Sequence, residues 1–270
     1  MDLYQKVIII TGASEGIGAA LVQELSHHDT QLVLCSRSRS KLESLRLPAN
    51  SKKLIIPTDV SNIDDVTYLI ESTIQHFGRI DILINNAGIG YSSTVEHINQ
   101  NDISKLLSVN LFGPLYTMQQ VIPVMRKQGG GLIINISSMI SRIATSGSGG
   151  YRASKMALEA ISDAARLELK KDNIRVITAY PGLTSTNFFN NSIGCNSTQN
   201  RTTGGQQPQK VAKKIVNAIK KEPRSIFMGP AALLRGSIAQ LFPSIAEKLT
   251  IHKKKIHQFL NGRKVANTTQ

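Results

Sequence analysis

The feature that most constrains the fold of this 270-residue chain is an alternation of short, β-branched apolar runs with longer amphipathic stretches. Seven runs read as strands: K-V-I-I-I-T, Q-L-V-L-C, K-L-I-I-P, I-D-I-L-I-N, G-L-I-I-N-I-S, I-R-V-I-T-A-Y and R-S-I-F-M. Helical patterns lie between them, for example over Gly16–His28, Ile63–Phe77 and Met156–Lys171. The alternation predicts an α/β fold, a single doubly wound domain in which a seven-stranded parallel sheet carries helices on both faces.

Composition narrows the class of protein. Hydrophobic residues make up 41% of the chain, which is typical of a globular protein, and no apolar run approaches the roughly 20 residues of a membrane-spanning helix. The N-terminal apolar stretch is short and follows an acid, Asp2, unlike a signal peptide. Cys35 and Cys195 suggest no disulfide framework, and the six histidines show no metal-binding spacing. We therefore expect a cytoplasmic protein without a metal site.

The net charge of +14 is concentrated at one end of the chain. Residues 201–270 contain ten lysines and four arginines but only two acids, Glu222 and Glu247, so this quarter alone carries +12. The chain has no zinc-finger spacing, aromatic-basic strand or basic helix-turn-helix pattern. We therefore expect no nucleic-acid partner.

A glycine-rich loop, T-G-A-S-E-G-I-G, joins the first predicted strand to the first predicted helix. Gly12, Gly16 and Gly18 let the backbone turn sharply and approach a phosphate, which the N-terminus of the helix attracts. A tight turn with no ligand is the alternative. The strand before the loop and the helix after it favour a dinucleotide site.

The end of the second strand distinguishes two dinucleotides. An NAD site places an acid about 20 residues after the glycine loop, where it bonds the ribose 2′-hydroxyl. This chain has Ser36 there, followed by Arg37, and a guanidinium matches a 2′-phosphate. The sequence predicts NADP as the cofactor. Glu15, inside the glycine loop, opposes this choice unless it points away or pairs with a nearby arginine.

Seven short motifs now appear in a fixed order over roughly residues 6–227: T-G-A-S-E-G-I-G, T-D-V, N-N-A-G, V-N-L-F-G, N-I-S-S, Y-R-A-S-K and Y-P-G. In this order they resemble the classical short-chain dehydrogenase/reductase family. The resemblance implies a Rossmann-type NADP-binding and catalytic domain over residues 1–229. The basic stretch over residues 230–270 is longer and more apolar than such enzymes need, and it is predicted to be a helical extension. The resemblance also implies a homodimer or homotetramer acting on a small-molecule carbonyl or alcohol.

The family pattern carries over to individual positions. The implied catalytic residues are Asn110, Ser138, Tyr151 and Lys155. The cofactor-binding residues expected from the loop, the second strand and the resemblance are Gly12, Ser14, Gly16, Ile17, Gly18, Ser36, Arg37, Asp59, Val60, Asn86, Ala87, Gly88, Tyr151, Lys155, Pro181, Gly182 and Thr184. Among the four catalytic residues, Asn110 matches a family position that holds a water in a proton relay.

The spacing of Tyr151 and Lys155 fits reduction of a carbonyl group. Residues four apart share a helix face, so the phenol and the ammonium point into the same space. A nearby ammonium and the positive nicotinamide of the oxidised cofactor are expected to lower the tyrosine pKa. Ser138 is expected to bond the same substrate oxygen.

Two segments lie outside the family motifs, and each has its own prediction. Thr184–Gln209, rich in small and amide residues, is predicted to be a lid, with Phe188 and Phe189 either facing an apolar substrate or anchoring the loop. The extension over residues 230–270 is predicted to pack on the same domain or on a neighbouring subunit, and contact with an anionic membrane is the less favoured alternative.

The sequence therefore predicts an NADP(H)-dependent oxidoreductase that interconverts a ketone or aldehyde with an alcohol, on an apolar substrate, through a Ser-Tyr-Lys-Asn relay. One alternative is a reductase of a membrane-borne lipid ketone. Another is a non-catalytic NADP-binding regulator, which would have no need of all four catalytic residues. No motif fixes the substrate.

Overall fold

The computed structural model describes residues 1–49, 51–188, 191–195, 205–242 and 244. Seven parallel strands form one sheet in the order β3-β2-β1-β4-β5-β6-β7. The strands are β1 Val7–Thr11, β2 Gln31–Ser36, β3 Lys52–Pro57, β4 Ile82–Asn85, β5 Gly131–Ile136, β6 Ile174–Tyr180 and β7 Ser225–Phe227. The prediction of a doubly wound, seven-stranded parallel sheet is confirmed.

Helices connect these strands. The α-helices are α1 Gly16–Leu25, α2 Arg39–Glu43, α3 Ile63–Phe77, α4 Gln100–Leu107, α5 Gly113–Lys127, α6 Gly149–Glu168, α7 Pro208–Lys221 and α8 Pro230–Leu241. Short 3-10 turns cover Val95–His97, Met139–Ser141 and Leu169–Asp172, and Ser108–Phe112 forms a π-helical turn.

Two predicted helices have different ends in the structure. α1 ends at Leu25 rather than His28, since the amides of His27 and His28 donate to carbonyls three residues back rather than four. The Thr30 hydroxyl also donates to the Leu25 carbonyl at the helix end. α6 begins at Gly149, so the segment of Tyr151 and Lys155 and the helical pattern that starts at Met156 form one helix. Its first two turns contain the glycine- and serine-rich G-G-Y-R-A-S-K, whose low helix propensity is overridden by packing against the rest of the domain.

The alternating side chains of the strands divide the core between the two faces of the sheet. Ile8 and Ile10 of β1 pack with the apolar sides of α1 and α7, whereas Val7 and Ile9 pack with α3, α5 and the end of α6. Both faces are buried, which explains why these strands are almost wholly Val, Ile and Leu. The predicted position of the helices on both faces is thus observed.

The strand order places a crevice at the carboxyl ends of β1 and β4. The chain runs from β1 outward through β2 to β3 and then returns to β4 on the other side of β1, so the connections leave in opposite directions. Ligands of open α/β sheets bind at such a switch point. Within the described part of the chain, no helix is long and apolar enough to cross a membrane.

The C-terminal part of the chain continues from β7 into α8, which packs back onto the domain. The guanidinium of Arg142, just beyond the 3-10 turn Met139–Ser141, donates to Gln240 of α8 at 2.9 Å. A Cβ at Gly236 of α8 would lie 3.3 Å from the side chain of Met139. The remainder of the predicted extension, residues 245–270 with its three consecutive lysines, lies outside the described residues.

Candidate active site

A cavity of about 1150 Å³ opens at the carboxyl ends of the central strands. Almost every predicted site residue lines it: Gly12, Ser14, Gly16, Ile17, Ser36, Arg37, Asp59, Val60, Asn86, Ala87, Gly88, Ser138, Tyr151, Lys155, Pro181, Gly182 and Thr184. Gly18 and Asn110 are the two predicted residues that do not line it. Both lie immediately behind the wall, as their contacts show.

The glycine loop depends on its glycines for backbone geometry. Gly12 and Gly16 have φ of 63° and 59°, in the left-handed region that other residues rarely adopt. A Cβ at Gly18 would lie 2.1 Å from the carbonyl oxygen of Gly12, so only glycine allows α1 to begin there. Glu15, the N-cap of α1, makes no side-chain bond to the amides of the first turn. The loop therefore leaves helical N–H groups facing the cavity, as a phosphate requires.

The N-N-A-G turn at the end of β4 packs beneath the glycine loop and is hydrogen-bonded to it. The Asn86 side chain donates to the carbonyls of Thr11 and Gly12 at 2.9 and 3.1 Å. The Thr11 hydroxyl accepts from the backbone amides of both Asn86 and Ala87, each at 2.9 Å. Thr11, which sequence reasoning left out of the site, is thus the residue that joins β1 to the turn. In the sequence, Thr11 is marked by a hydroxyl side chain at the end of an otherwise apolar strand.

The cations at the end of β2 have different partners. Arg39 pairs with Glu43 within α2 at 3.5 Å, and the ammonium of Lys41 lies 3.5 Å from the carboxylate of Glu15. Arg37 lines the cavity, and its guanidinium has no hydrogen-bond or ion-pair partner among the described residues. Glu15 therefore pairs with a lysine, not with one of the arginines that the sequence suggested.

Asp59 and Val60, which match family positions that contact adenine, line the cavity after the end of β3. Asp59 accepts two bonds from Ser61, one from its amide at 3.0 Å and one from its hydroxyl at 2.7 Å. Val60 packs against Gly113, where a Cβ would lie only 2.8 Å from the valine side chain. These contacts hold Asp59 and Val60 at the cavity wall, where the resemblance expects a purine ring.

Tyr151 and Lys155 lie on one face of α6 and both reach the cavity. Lys155 is only 4% exposed, and its ammonium donates to the Ile136 carbonyl at 2.9 Å. Burial lowers the pKa of Lys155 to about 8, because a buried ammonium loses its hydration. A Cβ at Gly88 would lie 3.5 Å from the Lys155 Nζ, so the N-N-A-G turn passes directly beside the ammonium.

Burial raises the pKa of the Tyr151 phenol above its ordinary value, and a hydrogen bond with Ser138 lowers it in part. The expected lowering depends on the positive charge of an oxidised nicotinamide as well as that of Lys155, and it stays a prediction. The protein's own groups do not outweigh desolvation. At neutral pH Tyr151 is therefore a phenol with a proton to donate.

Ser138 stands at the exit of β5 in an extended conformation. Its hydroxyl oxygen accepts from the Ile140 amide at 3.2 Å, which leaves the hydroxyl proton available to donate. The backbone on either side is fixed to β6, because Ser137 N donates to Ala179 O at 2.8 Å and Met139 N donates to Pro181 O at 2.9 Å. Ser138 is thus a well-placed donor to an oxygen beside Tyr151.

Asn110 is fully buried in the π-helical turn between α4 and α5. Its side chain donates to the Ile89 carbonyl at 3.0 Å and to the Ser154 hydroxyl at 3.1 Å, and it accepts from the Ile89 amide at 2.8 Å. These bonds use the amide to join α6 to the segment after the N-N-A-G turn. Its predicted part in a proton relay stays a prediction.

A buried polar cluster under the site escaped sequence reasoning. Asn85 of β4 donates to Asn135 of β5 at 2.9 Å, and Asn135 donates to Ser162 of α6 at 2.8 Å. Thr117 of α5 donates to Asn85 at 2.7 Å. The signal in the sequence was an asparagine in each of two otherwise apolar strands. The cluster sets the register of the two strands and of the helix that carries Tyr151.

The described part of the predicted lid lies over the cavity. Ile193 pairs with the strand-like segment at Tyr91, with Ser92 N donating to Ile193 O and Ile193 N donating to Gly90 O, both at 3.0 Å. A Cβ at Gly90 would lie 2.1 Å from the Ser192 hydroxyl, so glycine permits this close approach. Asn191 donates to Glu15 of the glycine loop at 3.2 Å. Residues 189–190, which include Phe189, and residues 196–204 of the predicted lid lie outside the described residues.

Comparison with known proteins places the chain in a family. Residues 6–194 match the short chain dehydrogenase family. An uncharacterized oxidoreductase of Staphylococcus saprophyticus is 40% identical over 188 residues, which make up 68% of this chain and 76% of that relative. The chain therefore belongs to the classical short-chain dehydrogenase/reductase family of oxidoreductases.

Two solved structures resemble this chain as well. An alcohol dehydrogenase from the archaeon Thermococcus sibiricus, complexed with 5-hydroxy-NADP, superposes with a TM-score of 0.72 at 28% identity, over 82% of this chain and 92% of that one. A short chain dehydrogenase/reductase from Burkholderia phymatum in complex with NAD has a TM-score of 0.82 at 22% identity, over 91% and 96% of the two chains. The second likeness concerns the fold alone.

Proposed function

We propose that this protein is an NADP(H)-dependent reductase that interconverts an apolar ketone or aldehyde with the corresponding alcohol. The observation that carries the proposal is the meeting of Tyr151, Lys155 and Ser138 with a phosphate-type glycine loop in a single cavity. A regulator that only bound a dinucleotide would have no use for a buried tyrosine, lysine and serine at its far end.

The chain's own residues account for the proton in this reaction. When bound, a reduced nicotinamide supplies a hydride to the carbonyl carbon. The phenol of Tyr151 donates its proton to the oxygen, which would otherwise carry an alkoxide charge, and the product is a neutral alcohol. Ser138 donates a hydrogen bond to the same oxygen while the charge develops. The ammonium of Lys155 stabilises the phenolate that remains on Tyr151.

Arg37 favours NADP over NAD in this proposal. Its guanidinium lies at the cavity wall without a partner among the described residues, whereas Arg39 and Lys41 each have a carboxylate. Position 36, where an NAD site would hold an acid, is a serine. The complex of the T. sibiricus relative with an NADP derivative supports the same choice.

The other end of the cavity favours an uncharged, apolar substrate. Its walls there include Tyr91, Met139, Ile140, Ile143 and Phe188. The charged residues that line the cavity are Glu15, Arg37, Lys41, Asp59 and Lys155, all at the cofactor end or in the catalytic group. A sugar would leave hydroxyls unpaired against these apolar side chains, and the polar lining outside the cofactor end is limited to small groups such as Ser92, Ser148 and Ser192. The volume exceeds the roughly 300–1,000 Å³ of a pocket for one small ligand, so a substrate fits beside the cofactor.

The direct test is a reduction assay on the full chain. NADPH and NADH consumption would be followed with a panel of aliphatic, aromatic and polycyclic carbonyls and with a sugar aldehyde of similar size. We expect turnover of apolar carbonyls with NADPH, with a much lower kcat/KM with NADH. Tight NADPH binding with no turnover of any member of the panel would favour the non-catalytic alternative.

A further inference from the structure

We propose that Arg142 is a positioning residue, which holds the Ser138 turn against the helix that carries Tyr151 and Lys155. Arg142 stands immediately after the 3-10 turn Met139–Ser141 that follows Ser138. It lies outside the cavity lining, so it touches neither the reacting atoms nor a bound cofactor. The inference rests on the proposed function, since it concerns the geometry of the same proton donor.

The first link runs from Arg142 to α6. Its guanidinium forms an ion pair with Glu159, and the two side chains are only 19% and 14% exposed. Glu159 follows Tyr151 by eight residues and Lys155 by four, so all three share one face of α6. The pair therefore ties the serine turn to the same helical stripe that presents the phenol and the ammonium.

The second link runs from Arg142 to the end of β6. The guanidinium donates to the Tyr180 hydroxyl at 2.6 Å and lies 4.7 Å from the centroid of the Tyr180 ring. Tyr180 is buried and stacks on Phe227 of β7, with ring centroids 4.7 Å apart and planes 8° from parallel. This ring is thus a rigid support for the arginine.

The third link runs to the C-terminal helix. Arg142 donates to Gln240 of α8 at 2.9 Å, and Gly236 allows α8 to approach within contact of Met139. One guanidinium therefore joins the serine turn to α6, β6 and α8. A planar group with several donors in fixed directions is suited to this task, and a lysine could reproduce only part of it.

The consequence for the site is control of the distance between Ser138 and Tyr151. Within the turn, the carbonyl of Ser138 accepts from Ser141 N at 3.1 Å and from Ser141 Oγ at 2.7 Å, so the turn moves as a unit. If Arg142 were lost, the unit would keep the bond from Met139 N to the Pro181 carbonyl after β6 and, beside Ser138, the bond from Ser137 Oγ to the Lys155 carbonyl of α6 at 3.4 Å. It would lose the ion pair that holds its far end to α6. The hydroxyl of Ser138 would then shift relative to the phenol.

The test is a set of steady-state measurements on the full chain. For Arg142→Met we expect kcat to fall by about 100-fold, the scale of a 1 Å misplacement, while KM for NADPH stays within about twofold. Arg142→Lys should recover part of the loss. Arg126→Met is the matched control, because it removes an exposed ion pair with Asp172 far from the cavity and should leave kcat unchanged.

A double-mutant cycle separates positioning from general destabilisation. If Arg142 acts through Ser138, Arg142→Met should cost little in a Ser138→Ala background. Full additivity of the two losses, or a wild-type kcat in Arg142→Met, would overturn the inference. Should Arg142→Met fail to fold, the isosteric Glu159→Gln tests the same link and should lower kcat by about tenfold.

Hydrogen exchange gives a readout that needs no turnover. Amides of residues 139–142 should exchange faster in Arg142→Met, and those of the distant α3 should not. If the wild-type protein reduces no carbonyl, the proposed function fails, and exchange still decides whether Arg142 holds the turn. Unchanged exchange at residues 139–142 would overturn the positioning role even in an active enzyme.

Discussion

The aromatic ring of Phe188 lies 5.8 Å from the ring of Tyr151, measured between centroids, with an angle of 57° between the planes. Phe188 belongs to the predicted lid and Tyr151 to α6, so the contact brings an apolar side chain of the amide-rich segment to the predicted proton donor. It helps to bury the phenol, and burial is the main reason why the pKa of Tyr151 is raised.

Phe188 is predicted to select for bulky apolar substrates. Replacing it with serine, Phe188→Ser, should lower kcat/KM about tenfold for polycyclic or long-chain carbonyls, because apolar contact area is lost, and much less for small ones. Tyr68→Ser, which alters an aromatic side chain that is 62% exposed on α3, is the matched control. An equal loss for substrates of every size would mean that Phe188 only anchors the lid.

Arg37 is predicted to contact the 2′-phosphate of NADPH. Arg37→Ala should raise KM for NADPH by about 30-fold, equivalent to about 2 kcal/mol for one charged hydrogen bond, and should leave KM for NADH nearly unchanged. Arg39→Ala removes a neighbouring guanidinium that is already paired with Glu43 and serves as the control. If both cofactors lose equally, the phosphate is bound elsewhere and Lys41 becomes the better candidate.

Glu15 is predicted to weaken NADPH binding. Its carboxylate lies in the glycine loop and engages Lys41, so it places a negative charge near the proposed phosphate and occupies a cation. Glu15→Gln should tighten NADPH binding by about threefold, as expected for an exposed charge pair, with a smaller change for NADH. Titration of both cofactors by fluorescence measures this, and weaker NADPH binding would show that Glu15 instead supports the loop.

Lys155 is predicted to make the free energy of unfolding rise with pH in the alkaline range. The folded pKa of about 8 lies below the ordinary 10.5, so between these values the unfolded chain binds more protons than the folded one. The free energy of unfolding should therefore rise as the pH rises from about 8 to 10.5. Lys155→Met should lack this component, and identical denaturation profiles for the two proteins across that range would contradict the prediction.

The sequence was sufficient for the sheet and for most of the cavity wall. Strands buried on both faces leave a strong local signal, and a run such as I-R-V-I-T-A-Y predicts β6 to the residue. The spacing of Tyr151 and Lys155 likewise follows from helix geometry alone. The start of α6 at Gly149 did not follow, because the glycines and the serine in its first turns have low helix propensity and packing makes them helical.

Contacts between side chains that are far apart in the chain could not be predicted from the sequence. Glu15 pairs with Lys41, and nothing in the local sequence favours this lysine over a neighbouring arginine. Glu15 also accepts from Asn191, which lies 176 positions away in the chain. The direction of the Tyr151 pKa depends on burial, which sequence spacing does not report. Arg142 carries no motif signal, since its role depends on three elements that meet only in the folded chain.

The central claim is that Tyr151 donates the proton in carbonyl reduction, and Tyr151→Phe tests it most directly. The substitution removes one oxygen and keeps the ring against Phe188. NADPH-dependent reduction of an apolar carbonyl would be measured beside NADPH affinity by fluorescence titration. We expect kcat to fall by about 100- to 10,000-fold, the usual contribution of a positioned acid, with the NADPH Kd within about twofold of wild type. Retention of a tenth or more of the wild-type kcat would contradict the claim.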